Sequence, residues 1–328
     1  MITRRHFVTA SAGVACALAG LAPPARAQII ARTARMLVGF SAGGSADVVT
    51  RLLMGQIKDY ASSMYVDNVV GAGGRTALTA LKAGVADGSV LAVTPGDQIT
   101  LFPHVYNKLG YDPIRDFAPV TTVCTVQFLL IIGPLVPAQV TTLADFVAWC
   151  RANPKLATYG TSGAGSRPHF LGVTLSHSGG FEFTHVPYKG GALATQDVLG
   201  GQIAAAVSVI PSVLPHVQSG SLRALATTAP QRISLLPQVP TMREAGYPAC
   251  EAVEWFGVFV PAATAPEIVT ALNGIIRVAL KSDAIISGLA KQSFDPAGSS
   301  PDDFAQLIRS DTDRWGEIVK SSGFKPID

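Results

Sequence analysis

Val120–Ile132, VTTVCTVQFLLII, is an apolar run interrupted only by threonines, one cysteine and one glutamine. It outlasts the strand of about 5–6 residues that most sheets use. Asp112-Pro113-Ile114-Arg115-Asp116-Phe117 leads into it as a turn-rich approach. A strand of this length leaves one domain and enters another. Glu251–Val260, EAVEWFGVFV, is a second such run and supplies the return crossing. Two crossings predict two discontinuous lobes joined by a two-strand hinge, and 328 residues exceed one comfortable core in any case. The expected division places residues 28–124 and 254–328 in one lobe and 125–253 in the other.

Between and around the crossings, short apolar runs alternate with helical periodicity. Met36–Phe40 reads as a strand, Ala46–Tyr60 as a helix, Met64–Val69 as a strand, Thr76–Ala83 as a helix and Val90–Thr94 as a strand. Such a βαβαβ series predicts a parallel sheet. A second series follows: helix Leu143–Ala152, strand Leu156–Gly160, helix His169–Ser178, strand Phe183–Pro187, helix Ala192–Leu199, strand Ile203–Val209, short helix Val213–Gln218 and strand Leu222–Thr227. The C-terminal part is helical over Pro266–Lys281, Ser282–Lys291 and Pro301–Ser321. Only 14% of residues are charged, which suits α/β architecture with strands buried on both faces.

The N-terminus has a different character. Arg4 and Arg5 precede an apolar run from Phe7 to Leu21, and Ala25-Arg26-Ala27 forms an A-x-A cleavage site before Gln28. Residues 1–27 therefore read as a secretory signal, directing the chain to a periplasm. Thr3-Arg4-Arg5-His6-Phe7-Val8 fits both a twin-arginine and an ordinary export signal. Cleavage removes Arg4, Arg5 and Arg26 from the 25 basic residues and none of the 22 acidic ones, leaving 22 of each. A neutral chain without a Lys/Arg cluster has no electrostatic footprint for nucleic acid or an anionic membrane. Cys16 leaves with the signal; Cys124, Cys150 and Cys250 remain, compatible with one disulfide or with buried free thiols.

Two stretches carry chemistry. Phe40-Ser41-Ala42-Gly43-Gly44-Ser45 follows a strand and opens a helix in the first lobe. Tyr159-Gly160-Thr161-Ser162-Gly163-Ala164-Gly165-Ser166 does the same in the second. In open α/β sheets, ligands collect outside the carboxyl ends of the strands. Facing lobes would set two small-residue loops, each on a helix N-terminus, across one cleft, where backbone amides and helix dipoles attract an anion. Gly39-Phe40-Ser41-Ala42-Gly43 also satisfies the G-x-S-x-G pattern of a hydrolase nucleophile elbow. In hydrolases that elbow comes after several strands, whereas here it sits on the first strand of the mature chain, and no histidine stands in a recognisable setting for a base. The histidine and cysteine spacings form no metal-ligand pair. Gly71-Ala72-Gly73-Gly74 lacks the ending of a phosphate loop and reads as a turn with positive φ. No metal or cofactor is called for. Asp47, close to the first helix start, binds local amides or water, or else repels an approaching carboxylate.

With these residues placed, the chain resembles the Bug family, the periplasmic substrate-binding proteins of tripartite tricarboxylate transporters. The landmarks run in order: Gly39–Val49; Val66-Asp67-Asn68 with Gly71–Gly74; Asp87-Gly88; Tyr111-Asp112-Pro113 with Asp116–Val120; and Tyr159–Gly163. They continue through His185-Val186-Pro187-Tyr188-Lys189-Gly190, Leu222–Ala226, Val239-Pro240-Thr241 with Glu244-Ala245-Gly246, and Trp255-Phe256-Gly257. The resemblance implies a two-lobed type II periplasmic-binding-protein fold, two Rossmann-like domains closing on a small organic carboxylate. It implies ligand-binding roles for Phe40, Ser41, Gly43, Gly44, Ser45 and Asp47, with Thr94 lining the pocket. On the second lobe it implies the same for Thr161, Ser162, Gly163, Ser166, His169 and Ser208. Ser208 stands where many relatives carry an acidic residue, which disfavours an amino-acid ligand. The partners implied are the carboxylate and a membrane permease, or a sensor protein in its place; the chain is expected to bind and not to catalyse, with a monomer as the default state.

Overall fold

A computed structural model describes residues 29–188 and 190–328; the stretch expected to be an export signal, with Cys16, and Lys189 lie outside them. The long apolar run forms one strand, β4 (Phe117–Ile132), buried along most of its length. Its first part pairs antiparallel with β9 (Val253–Pro261), from Phe117↔Pro261 to Gln127↔Val253. From Phe128 onward it pairs instead with β7 (Ala205–Val209) and β8 (Arg223–Thr227). One strand thus belongs to two sheets in succession, which is why its sequence is apolar for longer than a single sheet requires.

On one side of this junction lie β1 (Ile30–Val38), β2 (Ala61–Asn68) and β3 (Val90–Pro95), in the order β2-β1-β3-β9-β4. β1 is parallel to both β2 and β3. On the other side, β5 (Thr158–Thr161) stands between β7 and β6 (Thr184–Pro187) and is parallel to both. Each lobe therefore repeats one plan: the first strand is central, the second outside it, the third inside it. The crossover helices are α1 (Ser45–Met54) and α2 (Arg75–Lys82) in lobe 1, and α5 (Arg167–Gly179) and α6 (Gly191–Leu199) in lobe 2. The parallel sheet expected from the βαβαβ series is present in both lobes, flanked by the antiparallel crossings.

Several boundaries move for local reasons. The helix expected over Ala46–Tyr60 ends at Met54, because Gly55 caps it and the chain turns back so that the Tyr60 carbonyl accepts from the Ile30 amide at the start of β1. After β3 the chain forms a wide helical turn, Asp97–Leu101, that runs into α3 (Phe102–Val105), an element the periodicity does not reveal. Gly39 ends β1 where a Cβ would lie 2.5 Å from the Gly74 Cα, so the first cradle loop and the glycine turn touch backbone to backbone. Ala72, Gly73 and Gly74 in that turn all have positive φ, as expected. The remaining helices are α4 (Leu143–Ala152), α7 (Ile210–Gln218), α8 (Pro266–Ala279), α9 (Asp283–Ala290) and α10 (Pro301–Ser321). α10 straddles the junction: Phe304 and Ile308 join a lobe-1 core, while Trp315 and Val319 join the core holding Phe170 and Leu171. Cys124, Cys150 and Cys250 are free, buried thiols. No helix among the described residues is long and apolar enough to cross a membrane.

Candidate functional site

The carboxyl ends of β1, β3, β5 and β7 border one cavity of about 650 Å³, placed where strand order reverses in each lobe. Lobe 1 contributes Phe40, Gly44, Ser45 and Ala46 from the start of α1, and lobe 2 contributes Ser162, Gly163, Ala164 and Ser166 from the start of α5. The two small-residue loops meet across this one cleft. Two further helices begin there, α6 at Gly190-Gly191 and α7 beside Ser212. None of these four is capped by the side chain of its own N-cap residue; α4, α9 and α10 are so capped, by Thr142, Ser282 and Ser300, while α8, which also starts elsewhere, is not. Uncapped helix starts leave amides with no intrahelical acceptor, so the cavity is lined with positive backbone dipoles.

Of the residues expected from the sequence, Phe40, Gly44, Ser45, Ser162, Gly163, Ser166 and Ser208 line the cavity; Ser41, Gly43, Asp47, Thr94, Thr161 and His169 do not. Each of the latter except Ser41 holds the framework. Asp47 is 2% exposed and accepts from the Gly43 amide at 2.9 Å, Arg51 Nε at 2.8 Å and Asn68 Nδ2 at 2.9 Å. The Arg51 hydrogen bond, aided by Gly43 and Asn68, lowers its pKa to about 2 against the cost of burial. Its charge is spent on the loop and does not confront a guest. Thr94 donates to Gln98, which does reach the cavity. Ser41 is exposed, and among the described residues no histidine hydrogen-bonds its hydroxyl.

The second loop rests on two imidazoles. His169 Nδ1 accepts from the Gly165 amide at 3.2 Å, and His185 Nε2 bonds Thr161 Oγ1 at 2.7 Å. Thr161 Oγ1 donates to the Gly163 carbonyl, so it accepts from His185, which fixes the proton on His185 Nε2. The two rings stack with centroids 4.0 Å apart. Burial lowers the pKa of His169 to about 4; burial, then the neighbouring His169, lowers His185 to about 3. Both folded pKa values lie below the unfolded value, so the stability tied to neutral rings is complete above pH 6.5 and is lost as pH falls from 6.5 through about 4 for His169 and about 3 for His185. His169 alone accounts for about 3 kcal/mol at 1.36 kcal/mol per pKa unit. The thermal midpoint should fall over that range in calorimetry. His169→Asn, which keeps an acceptor for Gly165 and cannot titrate there, should flatten the profile; an unchanged slope would remove His169 from this role.

Periodicity did not reveal the opposite wall. Asp97, on the turn after β3, and Glu254, on β9, both line the cavity. Asp97 accepts from the Arg167 amide at 3.2 Å and Arg167 Nε at 2.9 Å, so a lobe-1 carboxylate already caps the first amide of α5. Arg167 is 1% exposed, donates to the Val253 carbonyl at 3.0 Å, and lies 3.4 Å from Glu254 and 3.6 Å from Asp311. Burial works against its charge, but Glu254, Asp97 and Asp311 outweigh that and raise its pKa. Burial pushes the Glu254 carboxyl well upward, toward its neutral form, and Asp97 adds to the effect against the pull of Arg167. These residues meet over sequence separations that no local pattern encodes.

The sequence profile described as "Tripartite tricarboxylate transporter family receptor" matches residues 48–324. The chain belongs to this family. The receptor is 34% identical over 320 residues to Protein BugT of Bordetella pertussis, covering 95% of this chain and 96% of that protein. Among solved structures it is similar to "R. palustris Rpa4515 with adipate", with TM-score 0.80 and 32% identity over 90% of this chain and 99% of that one. It is also similar to "MatC (Rpa3494) from Rhodopseudomonas palustris with bound malate", with TM-score 0.75 and 27% identity over 88% and 99%. The two-lobed fold inferred from the crossings, and the Bug-family resemblance, agree with these relatives.

Proposed function

We propose that the receptor captures a small organic carboxylate, mono- or dicarboxylate, between its lobes and hands it to a membrane permease of a tripartite tricarboxylate transporter. The observation that carries this reading is the cavity wall itself: the helix starts at Gly44–Ala46 and Ser162–Ser166 line it from opposite lobes. Charge-assisted hydrogen bonds to such amides are worth about 1.5–3 kcal/mol each, enough together to offset carboxylate desolvation. A guest touching both lobes stabilises only the shut arrangement, which is how binding drives closure. The adipate and malate named for two related structures are carboxylates of the expected class.

On this reading residues 1–27 direct export to the periplasm and are removed, and the mature chain acts as a monomer. Residues 28–124 and 254–328 form one lobe and 125–253 the other, β4 and β9 being the hinge. The chain is read as a binder and not a catalyst: among the described residues no histidine hydrogen-bonds the Ser41 hydroxyl. The sites proposed are those lining the cavity, with Gly43, Asp47, Thr94, Thr161 and His169 holding them in place.

Calorimetric and thermal-shift titration of the mature chain with a carboxylate panel tests the proposal. Saturable binding is expected, with about 2.7 kcal/mol of added stability at a hundredfold excess over Kd. A panel in which only sugars or free metal ions bind would contradict it.

A further inference from the structure

We infer that the guest is a bulky, largely apolar monocarboxylate: its one charge sits on lobe 2 beside Ser208, and its uncharged end lies against lobe 1. This rests on the carboxylate-receptor reading above and narrows it.

The first observation is an orphan. Ser208 is 3% exposed, lines the cavity, and its Oγ has no hydrogen-bond partner. A buried hydroxyl left unmatched costs free energy unless something enters to pair with it. Its surroundings identify what that is. A Cβ built on Gly191 would lie 3.9 Å from Ser208 Oγ, so the hydroxyl stands beside the uncapped start of α6. The Gly190 amide donates to the Ser162 carbonyl at 3.2 Å, joining the α6 start to the α5 loop. A hydroxyl donor therefore stands beside the α6 start, in a corner of lobe 2 that adjoins the α5 loop, which suits the two oxygens of a single carboxylate.

The second observation is the charge on the far wall. Asp97 and Glu254 line the cavity there, and behind them one guanidinium, Arg167, answers both Asp97 and Asp311. Among the described lining residues none is Lys or Arg. A second guest carboxylate on that side would meet Asp97, whose counter-ion Arg167 is already shared with Asp311, and no lining cation, so its desolvation would go uncompensated. An ammonium group gains little either, because both Asp97 oxygens are already engaged by Arg167.

The third observation is size and surface. About 650 Å³ is in the range of pockets that enclose drug-sized molecules, about 300–1,000 Å³. Phe40, Phe102, Phe128, Phe256 and Phe294 supply much of the wall. Such a surface is matched by a ring or a branched chain and left largely unfilled by a small polar acid.

The test uses matched pairs on the mature chain by isothermal calorimetry. Hexanoate and adipate differ only in the second carboxylate; 3-phenylpropanoate and phenylalanine differ only in the α-amino group. Hexanoate is expected to bind at least ~tenfold tighter than adipate, and 3-phenylpropanoate tighter than hexanoate and ~tenfold tighter than phenylalanine. Ser208→Ala is expected to weaken 3-phenylpropanoate binding ~tenfold to a hundredfold while leaving the ligand-free thermal midpoint unchanged or higher, because it deletes an unpaired group. Adipate equal to or tighter than hexanoate, or phenylalanine tighter than 3-phenylpropanoate, overturns this inference and leaves the carboxylate reading standing. Absence of binding by every carboxylate overturns both. Unchanged affinity in Ser208→Ala removes the Ser208 contact and with it the assigned orientation.

Discussion

Replacing Arg167 by methionine should lower the free energy of unfolding by about 3–5 kcal/mol, the usual cost of breaking a buried ion pair by removing one partner. Arg167 is the first residue of α5 in lobe 2, yet its side chain reaches across to lobe 1 and to the β9 crossing. Its Nε bonds Asp97 at 2.9 Å, its Nη1 bonds the Val253 carbonyl at 3.0 Å, and its guanidinium lies 4.8 Å over the Trp315 ring. Methionine keeps much of the volume and none of the charge. Asp97, Asp311 and Glu254 would then crowd a largely buried position with no cation, which disfavours their charged forms together. The loss should therefore grow with rising pH. Arg167→Met with Asp97→Asn should recover part of it, since the pair is coupled. Urea denaturation at several pH values measures both effects. A loss below about 1 kcal/mol would show that the network contributes no more than an exposed salt bridge.

Gly163→Asp should weaken carboxylate binding by ~hundredfold or more, because a like charge in a cleft costs several kcal/mol. The position permits a clean substitution. Gly163 is outside the left-handed φ region, and a Cβ there would meet only the Tyr188 carbonyl, at 3.9 Å. The new carboxylate would stand at the mouth of the α5 loop, take up amides meant for the guest and repel it. Gly163→Asn has the same shape without the charge, so it should lose far less affinity. Titration of both variants with hexanoate by calorimetry separates charge from bulk. Undiminished affinity in Gly163→Asp would mean that the guest's charge lies elsewhere.

Much of this was legible from residue order. Alternation and helical spacing are local consequences of backbone geometry, so α4 and α10 fall on the residues the sequence marks, Leu143–Ala152 and Pro301–Ser321. The apolar length of β4 announced a strand shared by two sheets, because only a chain buried on both sides of a junction needs no polar break. The repetition of small-residue loops after β1 and β5 announced a cleft with two helix starts. The turn after β3 was not legible: no apolar period marks it, and its shape depends on Gly96 bonding to Trp255 and Glu254 of a strand far along the chain.

What residue order alone determined was thus the set of elements, the two crossings and the positions of the amide-rich loops, all products of interactions within a few residues. Which loop atoms face the cavity was decided only in three dimensions. Thr161 and His169 turn inward because His185 and Gly165 claim them, and Asp47 is neutralised by Arg51 and Asn68. The acidic wall, the buried Arg167 beneath it and the unpaired Ser208 beside Gly191 each join segments from different strands. Charge and hydrogen bonding act through space at a few ångströms, so their outcome is set by which distant segments the fold brings within reach.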